Sequence, residues 1–217
     1  MTIKTIKHMT GGSILAIMFL LLTPSAFAAV DVEGSVGIAS DYFFRGESIN
    51  AGDPAKQVNA ELSFEGFYGG VFASDVSIND ADIRYDIYGG YRYNITDQFA
   101  VDSGVIQYRY DEGEATEEWY VSGSYQSVSV GYFVDMDDSE NSYVELNIGL
   151  PFIPVVDTSV SYGRFDEGGD FFSIKATKTF TNGLSVVAEI ADVQEARSSN
   201  GDDSFSDHVS VGLFYNF

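Results

Sequence analysis

The stretch from Phe205 to Phe217 constrains this chain more than any other. Phe205, Asp207, Val209, Val211, Leu213, Tyr215 and Phe217 share one parity. Ser206, His208, Ser210, Gly212, Phe214 and Asn216 share the other. Alternation at period two marks a β-strand whose two faces meet different surroundings. One such strand settles little, so its weight depends on whether the rest of the chain repeats it.

The chain does repeat it. From Ala29 onward twelve alternating segments can be marked: 30–44, 55–64, 67–77, 82–93, 98–110, 117–126, 128–136, 142–150, 155–165, 171–180, 184–193 and 205–217. Each is near the nine to eleven residues, roughly, that a tilted membrane strand needs. Apolar faces recur, as in Val58, Ala60, Leu62 and Phe64, or Val144, Leu146, Ile148 and Leu150. Lys178 breaks one such face and is expected either to snorkel at an interface or to be turned inward by a bulge. Connections alternate between short turns, such as Glu65-Gly66, and longer acidic loops, such as Asp137 to Asn141. Short turns at one end and long loops at the other are the pattern of an outer-membrane barrel. The expected fold is therefore all-β, an antiparallel up-and-down transmembrane β-barrel of about 12 strands.

Composition fits this reading. Aromatics make up 15% of the chain, with 14 Tyr, 17 Phe and 22 Gly against only 4 Pro, which suits strands. Mean hydropathy is −0.02, too polar for a helical membrane protein but natural when half of each strand faces water. The net charge of −22 excludes nucleic acid as a partner, because phosphate binding needs Lys and Arg. The absence of cysteine leaves the redox compartment open.

Residues 1–28 read as a secretory signal peptide: Lys4 and Lys7, an apolar run from Ile14 to Leu22, then Ala26-Phe27-Ala28 as the cleavage site. Residues 29–217 would form the barrel. Removing Lys4 and Lys7 leaves 9 basic against 33 acidic residues, so the mature chain carries −24.

Three sets of residues invite a chemical reading. His208 beside Ser206 and Ser210 suggests a hydrolase triad, but such a triad also needs an orienting acid, and Ser at i±2 on one strand is a common accident. Acidic loops such as Asp137 to Glu140 lack EF-hand spacing and read as solvated surface. Neither catalysis, a cofactor nor a metal centre is expected. The third set is the inward-facing charges. By parity these are Glu61, Arg84, Asp86, Arg92, Asp102, Glu118, Asp135, Glu145, Asp157, Arg164, Lys175 and Glu189, with Asp41 and Arg45 toward the outer mouth. They line a pore if the lumen is open, or pair into a filled interior if it is not. Nine of the fourteen are acids, so an open lumen would prefer cations. On the last strand, charge at Val211 or Leu213 should impair insertion, while Ser210 and Gly212 should tolerate small polar replacements. Tyr42 and Trp119 are expected in an aromatic girdle at the outer interface, opposite one containing Phe64, Tyr93, Phe99, Tyr125, Phe180, Tyr215 and Phe217.

Several stretches carry resemblances. Ser40-Asp41-Tyr42-Phe43-Phe44-Arg45-Gly46, then Ser48 and Asp53-Pro54-Ala55, resembles the opening motif of the TorF family of proteobacterial barrels, for which a pore function is inferred. Gly66-Phe67-Tyr68-x-Gly70-Val71 and Gly104-Val105-Ile106-x-Tyr108-x-Tyr110 are similar to further segments of that family, and Glu47 departs from it. The terminal strand, with Leu213, Tyr215 and Phe217, resembles the C-terminal assembly signal of outer-membrane barrels. The resemblances imply residence in the outer membrane of a Gram-negative bacterium. They imply outer-membrane lipid and the barrel-assembly machinery as partners and a pore for small solutes, to which the acidic lumen set adds cations. A non-conducting barrel displaying its acidic loops for adhesion or ligand binding is the alternative.

Overall fold

The computed structural model describes residues 30–78, 80–151, 153, 155–166, 169–194 and 206–217. The leader read in residues 1–28 lies outside them. In chain order the strands are β1 (Asp31–Ala39), β2 (Phe43–Phe44), β3 (Glu47–Ser48), β4 (Ala55–Phe64), β5 (Phe67–Ile78), β6 (Ala81–Asn94) and β7 (Phe99–Tyr110). They continue as β8 (Thr116–Tyr125), β9 (Val128–Asp135), β10 (Ser142–Gly149), β11 (Asp157–Phe165), β12 (Asp170–Thr179), β13 (Leu184–Gln194) and β14 (Ser206–Asn216).

Twelve of these strands form one closed antiparallel barrel. Each pairs with its sequence neighbour, and β1 closes the ring against β14 through Ser35↔Asn216 to Ala39↔Gly212. The main-chain ladder runs to the last residue, since Gly34 and Phe217 exchange two N–H···O bonds of 3.0 Å. Closure gives each of the twelve barrel strands a partner on both sides, which is the condition for strands to cross a bilayer. β2 and β3 stand apart as a two-stranded sheet of their own.

The alternation read from the sequence sorts the side chains by face. Val36, Leu62, Val71, Val121, Ile174 and Leu213 lie exposed on the outside. Their neighbours by one residue line the lumen. Tyr93, Phe99, Tyr125, Phe180, Tyr215 and Phe217 form an exposed outward ring at the short-turn end. Trp119 is also outward, packed edge-on against Tyr132 at 6.0 Å. Lys178 keeps its parity without a bulge: it is the register partner of outward-facing Val186, and its ammonium donates to the Val155 carbonyl in a short-turn loop at 2.7 Å. Outward charges otherwise cluster near the long-loop end, as in Lys56–Asp75 at 3.0 Å.

Two expectations need correction. The first strand does not run to residue 44. It ends at Ala39, and the next residues turn inward, so Tyr42 packs against the lumen-facing Phe72 at 5.5 Å and takes no part in the outer girdle. Ser210 and Gly212 are not free positions either. The Ser210 hydroxyl donates to the Asp41 carbonyl at 2.8 Å, and a Cβ on Gly212 would meet the Phe214 ring at 2.5 Å.

The facing predicts a sharp asymmetry on β14. Leu213→Arg places a charge on the lipid face, at a cost of about 2–4 kcal/mol if the site lies near the midplane. Reversible unfolding from lipid vesicles should read that loss. Arginine tolerated without loss at this position would mean that the outer face is not in lipid.

Candidate functional site

The β2–β3 hairpin fills the outer part of the lumen, and its geometry follows from its turn. Phe44 pairs with Glu47, leaving Arg45 and Gly46 as a two-residue loop. Their φ angles are 50° and 85°, both positive, as a type I′ turn requires. Glycine meets this easily at the second position, and the space demands it too. A Cβ on Gly46 would lie 2.6 Å from Phe171 Cβ and 2.9 Å from Val193 Cγ2. Asp41 holds the base of the hairpin: its Oδ1 accepts from Tyr42 N at 2.7 Å and from Ser48 Oγ at 2.9 Å. Ile49 closes the far side in a small core with Val76 and Ala81.

At the tip, the Arg45 guanidinium meets Glu118 on β8 in a fork, Nη1–Oε1 at 2.8 Å and Nη2–Oε2 at 2.6 Å. Their side chains are 13% and 9% exposed. Aromatic rings wrap the same cation, with Tyr143 4.2 Å, Phe44 5.0 Å and Phe133 5.3 Å from Cζ to ring centroid. Burial, the largest single influence, would lower the Arg45 pKa, but the bond to Glu118 and the Coulombic attraction of Tyr108, Glu118 and Tyr143 together outweigh it, and the proton is held more firmly than usual. Burial also pushes the Tyr42 hydroxyl pKa up, so Tyr42 stays neutral.

A second arginine lies beside the first. Arg84 on β6 is fully buried and forks onto Asp86 at 2.8 and 3.0 Å. Its Cζ sits 3.8 Å from the Phe44 ring and 4.6 Å from Tyr108. Nη1 has no hydrogen-bond partner among the described residues, and the ring faces supply electrostatic contact instead. Phe43 reaches the opposite wall, 5.6 Å from the His208 ring. The hairpin therefore touches the wall on β5, β6, β8, β10, β12 and β14. His208 serves here as a packing partner.

Below the hairpin, the lumen charges follow the register. Arg92 and Asp102 are directly opposed on β6 and β7 and pair at 3.3 Å. Lys175 and Glu189 are opposed on β12 and β13 and pair at 3.0 Å. Glu145 accepts from the Tyr143 hydroxyl at 2.5 Å and from Asn147 at 2.7 Å. Glu61 lies opposite Glu33, and Asp157 lies opposite Thr177 at the short-turn end. Asp135, the register partner of Glu118, bends into its loop and accepts from the Asp137 amide at 2.8 Å. Several rings pack against wall glycines. A Cβ on Gly70 would strike the Tyr88 ring at 2.4 Å, and one on Gly90 the Tyr68 hydroxyl at 2.5 Å.

Arg164 is the misplaced member of the set. It is the register partner of outward-facing Val144, its side chain is 70% exposed, and it approaches Asp170 at 3.8 Å outside the barrel. β11 has no bulge, so parity sends Arg164 out with Tyr162. Sequence reasoning missed Glu33, although Val32 and Val36 on the opposite parity of β1 gave the signal.

A family model matches residues 24–212. The chain belongs to the Gcw_chp family, bacterial proteins of unknown function. No curated protein matches this Gcw_chp member. Among solved structures it is similar to a KdgM porin in complex with disordered oligogalacturonate, at 11% identity and TM-score 0.61, covering 86% of this chain and 98% of that one. It is also similar to the NanC porin, at 10% identity and TM-score 0.53, covering 85% and 99%. At such identities the likeness is one of fold: the Gcw_chp chain has the closed twelve-stranded barrel of these porins.

Proposed function

We propose that this chain is an outer-membrane porin, a narrow channel for small solutes that prefers cations, with the β2–β3 hairpin as its constriction. One observation carries the cation preference. Among the described residues, each lumen base, Arg45, Arg84, Arg92 and Lys175, sits in an ion pair, whereas Glu33, Glu61, Glu145 and Asp157 have no basic partner. The uncompensated lumen charge is therefore negative, and low-dielectric walls focus its field. The apolar outer face supports residence in outer-membrane lipid, and the resemblance of Leu213, Tyr215 and Phe217 to an assembly signal supports insertion by the barrel-assembly machinery. The opening motif supports membership of the TorF family.

The oligogalacturonate in complex with the KdgM porin is a polyanion, and an acidic lumen repels it, so that ligand does not carry over. The breadth of the hairpin's wall contacts favours a second reading, a barrel closed at rest whose acidic loops act as a binding surface. Planar-bilayer recording separates the two. Under a tenfold KCl gradient the refolded barrel should conduct in discrete steps, with a reversal potential toward the roughly 59 mV limit of a perfectly K⁺-selective pore. Selectivity for Cl⁻ removes the assigned lining, and silence in the bilayer favours the closed barrel.

A further inference from the structure

Against the hairpin lies a cavity of about 300 Å³. That is the lower end of small-molecule sites, which span about 300–1,000 Å³. Its wall carries the rings of Phe72, Phe133 and Tyr143 and three charged groups, Arg45, Asp86 and Glu145. Two of the charges are already satisfied, Arg45 by Glu118 and Asp86 by Arg84. Glu145 has no ion-pair partner among the described residues. Its Oε2 accepts from the Tyr143 hydroxyl and its Oε1 from Asn147. A carboxylate offers about four acceptor positions, so about two remain for a ligand.

The chemistry of this wall selects among cations. A divalent metal ion wants several oxygen ligands at once, and no cluster of three metal-binding side chains exists among the described residues. Aromatic faces next to an unneutralised carboxylate instead suit a cation with a hydrocarbon body. The same wall already binds one such group: the Arg45 guanidinium lies 4.2 Å from the Tyr143 ring and 5.3 Å from that of Phe133. We infer that the cavity binds small organic cations, the ammonium on Glu145 and the carbon skeleton against the rings. This names a solute class for the channel proposed above, yet binding here does not itself require conduction.

Calorimetric titration of the refolded barrel in detergent micelles tests it, with benzylammonium and the isosteric neutral benzyl alcohol as probes and protein-free micelles as the blank. The wild-type barrel should bind benzylammonium about tenfold more tightly than the alcohol, the worth of a charge-assisted hydrogen bond. Glu145→Gln should abolish that preference, while Asp157→Asn, at the far end of the lumen, should keep it. Heat-modifiable gel mobility confirms that both variants fold. Equal binding of the two probes to the wild-type barrel overturns the inference without recourse to any variant, as does a preference that survives Glu145→Gln. Glu145-dependent binding to a barrel that passes no current would keep this site and remove the channel.

Discussion

Replacing Glu118 by Ala should raise the conductance of the barrel severalfold. The variant leaves the Arg45 guanidinium in a buried position with no carboxylate opposite it, because Glu118 is the group that accepts both arms of the fork. Removing one partner of a buried pair costs about 3–5 kcal/mol, which shifts a docking equilibrium by roughly two to four orders of magnitude. The hairpin can relieve that cost by leaving the lumen, since among the described residues the hydrogen bonds that tie the segment from Ser40 to Pro54 to the barrel, apart from the Glu118 fork, lie at its ends. One end is held by Ser40 and Ser210, the other by the main-chain bond from Ser77 N to the Ile49 carbonyl at 2.8 Å.

A loop replacement checks the mechanism. Ala39 and Ala55 are register partners on adjacent antiparallel strands, so an Asn-Gly turn can join β1 directly to β4 in place of residues 40–54. That barrel should conduct at least as well as Glu118→Ala, and adding Glu118→Ala to it should change nothing further. A loop-deleted barrel with the parent's conductance would show that the hairpin is not the constriction. Gly46→Val offers a third route to the same state, because its Cβ would collide with Phe171 and Val193 at a backbone angle that β-branched residues avoid.

How far the sequence predicts these features depends on whether the interaction is local. Period two is a property of each strand alone, and β4 occupies the span expected of it, residues 55–64. The pairs Arg92–Asp102 and Lys175–Glu189 follow once adjacent strands are placed in register, because opposed residues share a face. The Arg84–Asp86 fork follows from spacing within one strand. The hairpin is different. Tyr42 and Phe44 continue the outward parity of Val36 and Ile38, so alternation alone runs the first strand past its true end. What pulls these residues inward is a set of partners far away in sequence: Glu118 is 73 residues from Arg45, and Ser210 is 169 from Asp41. No local pattern contains that information, although Arg45-Gly46 is itself a legible turn. The opening motif marked the segment as distinctive without saying that it folds into the lumen.

The pairing also changes which residues should set ion selectivity. Counting lumen charges singles out Asp86, Asp102 and Asp135 as easily as any others. The geometry separates them. Asp86 and Asp102 are neutralised by Arg84 and Arg92, so amides there would strand arginines, Arg84 being packed against the hairpin, and Asp135 is folded into its loop. The effective charges include Glu33, Glu61 and Glu145, which face the lumen without a base. Glu33 and Glu61 are directly opposed across β1 and β4, an arrangement of like charges that destabilises a sheet unless cations collect there. Replacing all three by Gln removes three negative charges while keeping side-chain size. Under a tenfold KCl gradient, the reversal potential of this variant should fall from its cation-selective value most of the way to zero. Raising the salt should have the same effect on the parent, since the Debye length drops from about 10 Å at 0.1 M to about 3 Å at 1 M. Glu189→Gln, which leaves Lys175 unpaired, should shift the potential by a smaller step in the same direction. A triple variant as cation-selective as the parent would place the selectivity in the acidic outer loops instead of the lumen.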